Sequence, residues 1–168
     1  KLTTIDQAEN TKAANIIKEA WESLGIKVEL DVVAKSRVRQ DVIEPRNYQI
    51  LLYGQIINVN AGPYPFWHSS QVEAPGLNLS IFSNSDIDKT LEKLRSSNKK
   101  IEKADYLNTF EKKLLEQHLA IFLYNPTYTY PVAKKLKGVD ELKFINLPAD
   151  RLASISTWFI KTKRSLAN

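Results

Sequence analysis

The chain of 168 residues contains no cysteine, no methionine and only two histidines. Without cysteine there is no disulfide, thiolate metal site, redox pair or cysteine nucleophile to consider. No run of apolar residues reaches the roughly eighteen needed for a membrane-spanning helix, and no basic-then-apolar leader precedes Lys1-Leu2-Thr3-Thr4. A start without Met or leader leads us to expect a mature product or a fragment. The strings HExxH, DxDxDG, GxSxG, GxGxxG and GxxxxGK[ST] are all missing. Zinc hydrolysis, EF-hand calcium binding, lipase chemistry, dinucleotide binding and P-loop chemistry therefore lack their usual signals. His68 lies in Phe66-Trp67-His68-Ser69-Ser70, and His118 closes a helical stretch. Adjacency of Ser and His in sequence does not make a catalytic pair, so no catalytic residue is expected.

What is present is globular: 43% hydrophobic and 26% charged residues, in a chain long enough to bury a core. The net charge of +5 comes from 24 basic and 19 acidic residues that alternate along the chain, as in Lys99-Lys100-Ile101-Glu102-Lys103. The densest basic stretch, Lys134-Lys135-Leu136-Lys137, is too short to track phosphates, so no nucleic-acid partner is expected.

The pattern is clearest in the first thirty residues. Leu2 to Ile5 reads as a short strand, and Asp6 with Glu9 as a capping box. Ala13, Ile17, Ala20, Trp21 and Leu24 fall on one helical face, closed by Gly25. Ile26, Val28, Leu30 and Val32 then alternate with polar residues, as a strand with one wet face does. Together these predict a βαβ unit with parallel strands. Ser36 to Glu44 predicts a short helix with Val38 and Val42 inward, stopped by Pro45. Tyr48 to Tyr53 is almost continuously apolar, as expected of a central strand covered on both faces.

From Gln55 to Asn84 the chain has no helical period and reads as a long loop, a feature more often functional than decorative. Ser83-Asn84-Ser85-Asp86 then offers caps for a helix with Ile87, Leu91 and Leu94 inward. A second helix carries Leu107, Phe110, Leu114 and Leu115. Ile121 to Tyr124 reads as a buried strand, and the pattern weakens beyond Tyr128, with short apolar pieces at Leu142 to Ile145 and Ile155 to Ile160.

The loop carries the unusual chemistry. Tyr53, Tyr64, Phe66 and Trp67 are interleaved with Gln55, Asn58 and Asn60, just after the apolar strand. In open α/β sheets ligands bind outside the carboxyl ends of strands. Aromatic walls with a few amides suit a small organic or peptide ligand. The competing reading is that Phe66 and Trp67 anchor a short helical turn onto the core.

Several segments, in order, carry a resemblance. They are Leu24-Gly25-Ile26-Lys27-Val28-Glu29-Leu30, Tyr48-Gln49-Ile50-Leu51-Leu52-Tyr53-Gly54, Pro63-Tyr64-Pro65-Phe66-Trp67-His68-Ser69 and Phe82-Ser83-Asn84-Ser85-Asp86-Ile87-Asp88, followed by Ala120-Ile121-Phe122-Leu123-Tyr124 and Lys135-Leu136-Lys137-Gly138-Val139. This order resembles the C-terminal part of extracellular solute-binding protein family 5, the peptide/nickel-type receptors of ABC transporters. The resemblance implies an α/β fold of the periplasmic-binding-protein type II kind, a mixed sheet flanked by helices. It also implies a larger two-lobe protein that closes on its ligand. Residues 1–125 would be the C-terminal lobe, and residues 126–168 the crossover and tail returning towards the N-terminal lobe.

The implied function is transport. A binding protein captures a peptide or similar small solute outside the membrane, in the periplasm or anchored by lipid, and delivers it to ABC permease subunits. No enzymatic activity, cofactor or metal is implied. The ligand-binding residues would be Gln55, Asn58, Asn60, Tyr64, Phe66 and Trp67. The alternative is a receptor- or chaperone-like relative that binds a protein partner. One departure bears on the ligand. Where peptide-binding members often carry Gly-Trp-x-x-Asp, this chain has Gly54-Gln55-Ile56-Ile57-Asn58, and Gly62-Pro63 replaces the usual Asp-Pro. A neutral Asn supplies no charge-assisted bond to an ammonium group, so a capped or uncharged solute, or another anchoring residue, comes into view.

Overall fold

The structure is a computed structural model, and it describes residues 1–57, 62–126, 128–139 and 148–161. The chain divides into two compact units, Lys1–Ile121 and Phe122–Asn168.

The first unit is built on a three-stranded parallel sheet. Strand β1 (Leu2–Ile5) lies between β2 (Leu30–Val33) and β3 (Ile50–Leu52), with Leu2 opposite both Leu30 and Ile50. All four β1 residues are buried. The two threonines among them satisfy their hydroxyls locally: Thr4 Oγ1 donates to the Leu52 carbonyl at 2.9 Å, and Thr3 Oγ1 to Asp31 Oδ2 at 3.3 Å. Helix α1 (Ala8–Ser23) connects β1 to β2, so the βαβ unit forms. Leu2, Ala14 and Val28 make the core under α1, with Ile17, Trp21, Leu30 and Leu52 packed around it. On the other face Ile5, Val38 and Val42 gather Val33, Ile43, Tyr48 and Leu51. Alternate residues of each strand thus serve opposite faces, as the period of two requires.

Helix α1 ends as expected. Gly25 has φ +83°, its amide donates to the Glu22 carbonyl, and the Ile26 amide donates to that of Trp21, which is a Schellman closure. Its start differs from expectation. No side chain caps it; Gln7 is the cap residue, and the Asp6 amide continues the sheet by donating to the Val33 carbonyl at 2.8 Å. Asp6 belongs to the strand exit, and this displaces the expected capping box.

The alternating stretch from Ile26 to Val32 is a strand only from Leu30. The register with β1 starts at Leu30 opposite Leu2, and the Glu29 carbonyl just before it accepts from the Leu2 amide at 2.8 Å. Val28 is buried, whereas Ile26 is 51% and Val32 42% exposed. Val38 and Val42 do turn inward, but Val42 sits on a five-residue π-helical turn, Arg39–Ile43, which Val38 precedes and which the Glu44 amide closes by donating to the Arg39 carbonyl. The apolar strand β3 is an edge of this sheet rather than its centre. Its continuous apolar character comes from cover on both faces, since Leu52 and Leu51 pack into opposite clusters.

The rest of the first unit is helical. Helix α2 (Tyr64–Trp67) and a 3₁₀ turn (Ser69–Gln71) interrupt the long loop. Helices α3 (Ser85–Ser96) and α4 (Lys100–Glu116) pack on each other through Ile87, Leu91, Phe110 and Leu114. Asn84 caps α3 as expected, its Oδ1 accepting from the Asp86 and Ile87 amides.

Residues Ile121 to Tyr124 are not a buried strand. They have no regular structure and are 77%, 66%, 48% and 62% exposed, because among the described residues no strand pairs with them. In the second unit β4 (Leu136–Lys137) pairs antiparallel with β5 (Phe159–Ile160). Tyr130 stacks on Trp158 at 6.4 Å, and the Arg151 guanidinium lies 5.2 Å from the Tyr130 ring centre. The apolar piece Leu142 to Ile145 lies outside the described residues.

Candidate functional site

The aromatic loop leaves the carboxyl end of β3 and is bound to that strand's flanks by backbone carbonyls. Arg46, at φ +56° and half-buried, makes the main tie. Its Nε and Nη2 donate to the Val72 carbonyl at 2.9 and 2.7 Å, Nη2 also donates to that of Gly76 at 2.7 Å, and Nη1 holds the Ile43 carbonyl at 2.7 Å. The Tyr48 hydroxyl donates to the Leu79 carbonyl at 2.6 Å. Burial pushes that phenol above its ordinary value, with the Arg46 charge opposing, so it remains a donor at neutral pH. Gln55 Nε2 donates to the Leu77 carbonyl at 3.0 Å. Inside the loop, fully buried Asn78 donates from Nδ2 to the His68 and Phe82 carbonyls and accepts at Oδ1 from the Ser80 hydroxyl.

Helix α2 begins after Pro63, at whose position a missing amide donor costs little. One turn of helix sends Tyr64 and His68 to the same side, where their rings stack at 4.2 Å and 20°. The Arg95 guanidinium from α3 covers the Tyr64 ring at 4.7 Å from its centre. His68 is buried, and its Nδ1 accepts from the Ser70 amide at 3.1 Å, capping the 3₁₀ turn. Its Nε2 lies 3.5 Å from Glu92 Oε1 and 3.9 Å from Asp88 Oδ1. Asp88 Oδ1 also accepts from the Ser69 amide, which fixes the turn to α3.

With that geometry in place, comparison with known proteins decides the fold. No family model matches the chain. Over 149 residues it is 24% identical to the oligopeptide-binding protein AppA of Bacillus subtilis, covering 88% of the chain and 26% of AppA. The structure of AppA in complex with a nonapeptide superposes with a TM-score of 0.71 at 22% identity, covering 96% of the chain and 31% of AppA. NikZ from Campylobacter jejuni, in complex with Ni(L-His), gives 0.65 at 20% identity over 94% of the chain and 32% of NikZ. The fold is that of the type II solute-binding proteins. The chain spans about a quarter to a third of the length of these relatives.

Within this AppA-like frame the six candidate residues fall into three groups. Gln55 is exposed, and Tyr64 is half-buried under Arg95. Phe66 is buried, and Trp67 packs against the α3–α4 core, 6.5 Å from the Phe110 ring. Asn58 and Asn60 lie outside the described residues. The residues that hold the loop, Arg46, Asn78, Asp88 and Glu92, gave no signal in the sequence. Arg46 reaches across 26 and 30 residues, the Ser69–Asp88 bond spans 19 and Asn78 ties His68 across 10, and such contacts through backbone groups or charges leave no periodic trace.

An open groove of about 360 Å³ lies elsewhere, lined among others by Lys1, Asp31, Arg37, Asp41 and Asn47 and by none of the aromatic-loop residues. Its charges already pair with each other, Lys1 with Asp31 at 2.7 Å and Arg37 with Asp41 at 2.6 Å. Among the described residues no group of three or more His, Asp or Glu side chains is arranged to hold a metal ion. No helix among them is long and apolar enough to cross a membrane.

Proposed function

We propose that this chain is part of the solute-binding component of a peptide-type ABC importer. The observation that carries the reading is the match to AppA in both sequence and fold over nearly the whole chain. On this reading the protein works outside the cytoplasmic membrane, in the periplasm or anchored by lipid. It captures a peptide or similar small solute and hands it to permease subunits, with no chemical step of its own. Residues 1–125 supply one α/β lobe, and residues 126–168 the crossover and tail that return to the other.

The ligand wall is the aromatic loop. Gln55, Asn58, Asn60 and Tyr64 offer amide and phenol groups to the solute, while Phe66 and Trp67 anchor the wall from behind. Gln55 Nε2 is already bonded to Leu77, so its Oε1 is the atom left to accept from a ligand amide. No carboxylate occurs between Gly54 and His68. A solute held there by hydrogen bonds and stacking therefore suits the wall better than one held by its ammonium group.

The test uses the full-length gene product. Native mass spectrometry should find a small solute bound after gentle purification. Thermal shift should give larger stabilisation with N-acetylated peptides than with the same peptides bearing free amines, and Tyr64→Ala should reduce it. A full-length protein that binds nothing in a broad peptide and small-solute library would sink the reading. A preference for free amines would sink only the statement about the ligand's charge.

A further inference from the structure

We propose that His68 is a proton-driven switch in the aromatic loop: the neutral ring caps the Ser69–Gln71 turn, and the protonated ring gives up that cap for an ion pair with Glu92 and Asp88 on α3. The neutral state follows from the hydrogen bonds. Nδ1 accepts from the Ser70 amide at 3.1 Å, so it is the bare nitrogen and the ring proton sits on Nε2. Nε2 is buried and has no hydrogen-bond partner. It faces Glu92 Oε1 at 3.5 Å and Asp88 Oδ1 at 3.9 Å, beyond good hydrogen-bond length but well inside Coulomb range. The other tautomer would aim a lone pair at two carboxylates.

A second proton, taken from solvent, must go to Nδ1. The Ser70 amide then meets another N–H instead of an acceptor, and the cap is lost. Ser70 Oγ, 2.9 Å from Nδ1, becomes the acceptor of the new N–H. In exchange a cation now stands beside two carboxylates and against the Tyr64 ring, which stacks on it at 4.2 Å. The charged groups around the ring are Asp88 and Glu92 from α3, opposed by Arg95 of the same helix, which covers Tyr64. From α4, Lys113 reaches the Asp86 carbonyl and Thr90. The rewiring therefore touches both the turn after α2 and the ring that α2 presents. Any effect on solute affinity rests on the binding-protein reading; the switch itself does not.

NMR on the full chain without ligand tests it, following the His68 ring nitrogens and the Ser70 amide as the solution is acidified until the ring takes up its second proton. At the start the ring should be the Nε2–H tautomer. On acidification the Ser70 amide should lose about tenfold of its protection against exchange, the size of one hydrogen bond. The Ile87 and Leu91 amides should stay protected. In His68→Asn the side-chain oxygen can still cap the turn but cannot titrate, so Ser70 should stay protected throughout. In Asp88→Asn/Glu92→Gln the protonated ring has no ion-pair partner, so the Ser70 amide should keep more of its protection on acidification. An unchanged Ser70 amide across the titration in the native chain overturns the proposal, as does a loss that persists in His68→Asn. If His68→Asn does not fold, an equally large loss in the carboxylate double variant overturns it instead. No solute enters the measurement, so its outcome is separate from that of the binding test.

Discussion

Replacing Arg46 by Met should release the aromatic loop from the sheet. The guanidinium makes four hydrogen bonds to three carbonyls, those of Ile43, Val72 and Gly76. Hydrogen bonds to a charged group contribute about 1.5–3 kcal/mol each when buried. Arg46 is only half-buried, so freed carbonyls can recruit water and the cost falls well below the sum. We expect about 2–4 kcal/mol, at the upper end for a single substitution. Lys at this position keeps the charge but lacks the planar fork, and should recover less than half.

Arg46→Gly separates two effects. Glycine relieves the left-handed backbone at φ +56°, by about 1 kcal/mol. Were backbone strain the larger effect, Gly would stabilise the protein. The four bonds outweigh it, so Gly should destabilise, by slightly less than Met does. Hydrogen exchange is the assay of choice, because it reads the segment 71–79 directly. Protection there should fall in Arg46→Met while the β1 amides keep theirs. If exchange in that segment were unchanged and urea unfolding moved by less than about 0.5 kcal/mol, the guanidinium would not be what holds the loop.

Other perturbations reach neighbouring links. Tyr48→Phe removes the donor to the Leu79 carbonyl and should cost about 1 kcal/mol in urea unfolding. Because the Tyr48 phenol is raised in the folded state, its stabilisation is complete below the ordinary tyrosine value and is lost as pH rises through the folded one, a loss absent from Tyr48→Phe. Asn84→Ala should cost about 1 kcal/mol by uncapping α3, seen as faster exchange of the Asp86 and Ile87 amides. The Glu102 carboxyl, held below its usual range by bonds from Lys99 and Ser97, should titrate at lower pH than a free glutamate. Its small contribution is present above the ordinary glutamate value and lost on acidification, so Glu102→Gln should flatten that slope in a carboxyl titration followed by NMR.

Much of the first unit is legible in the residues because its signals are local. Leu24-Gly25 marks a helix end whatever surrounds it, since only a left-handed residue allows the two closing bonds. Asn84 caps α3, and the spacing of Ile87, Leu91, Phe110 and Leu114 aligns two apolar stripes, for the same reason. The aromatic loop was visible as a break in period with unusual chemistry, and so was the possibility that Phe66 and Trp67 face the core. The order of segments along the chain also sufficed to suggest the fold.

Tertiary structure decided what depends on partners. An apolar strand such as β3 is covered on two faces, yet whether it lies at the centre or the edge is set by which strands pair with it, and β1 took the centre. Ile121 to Tyr124 has the composition of a buried strand, but a strand is set by the ladder it joins, and in the structure this segment has no regular structure and is exposed. Arg46 and His68 looked ordinary in sequence. Folding placed one against three carbonyls and the other against two carboxylates, and those distances give each residue its role.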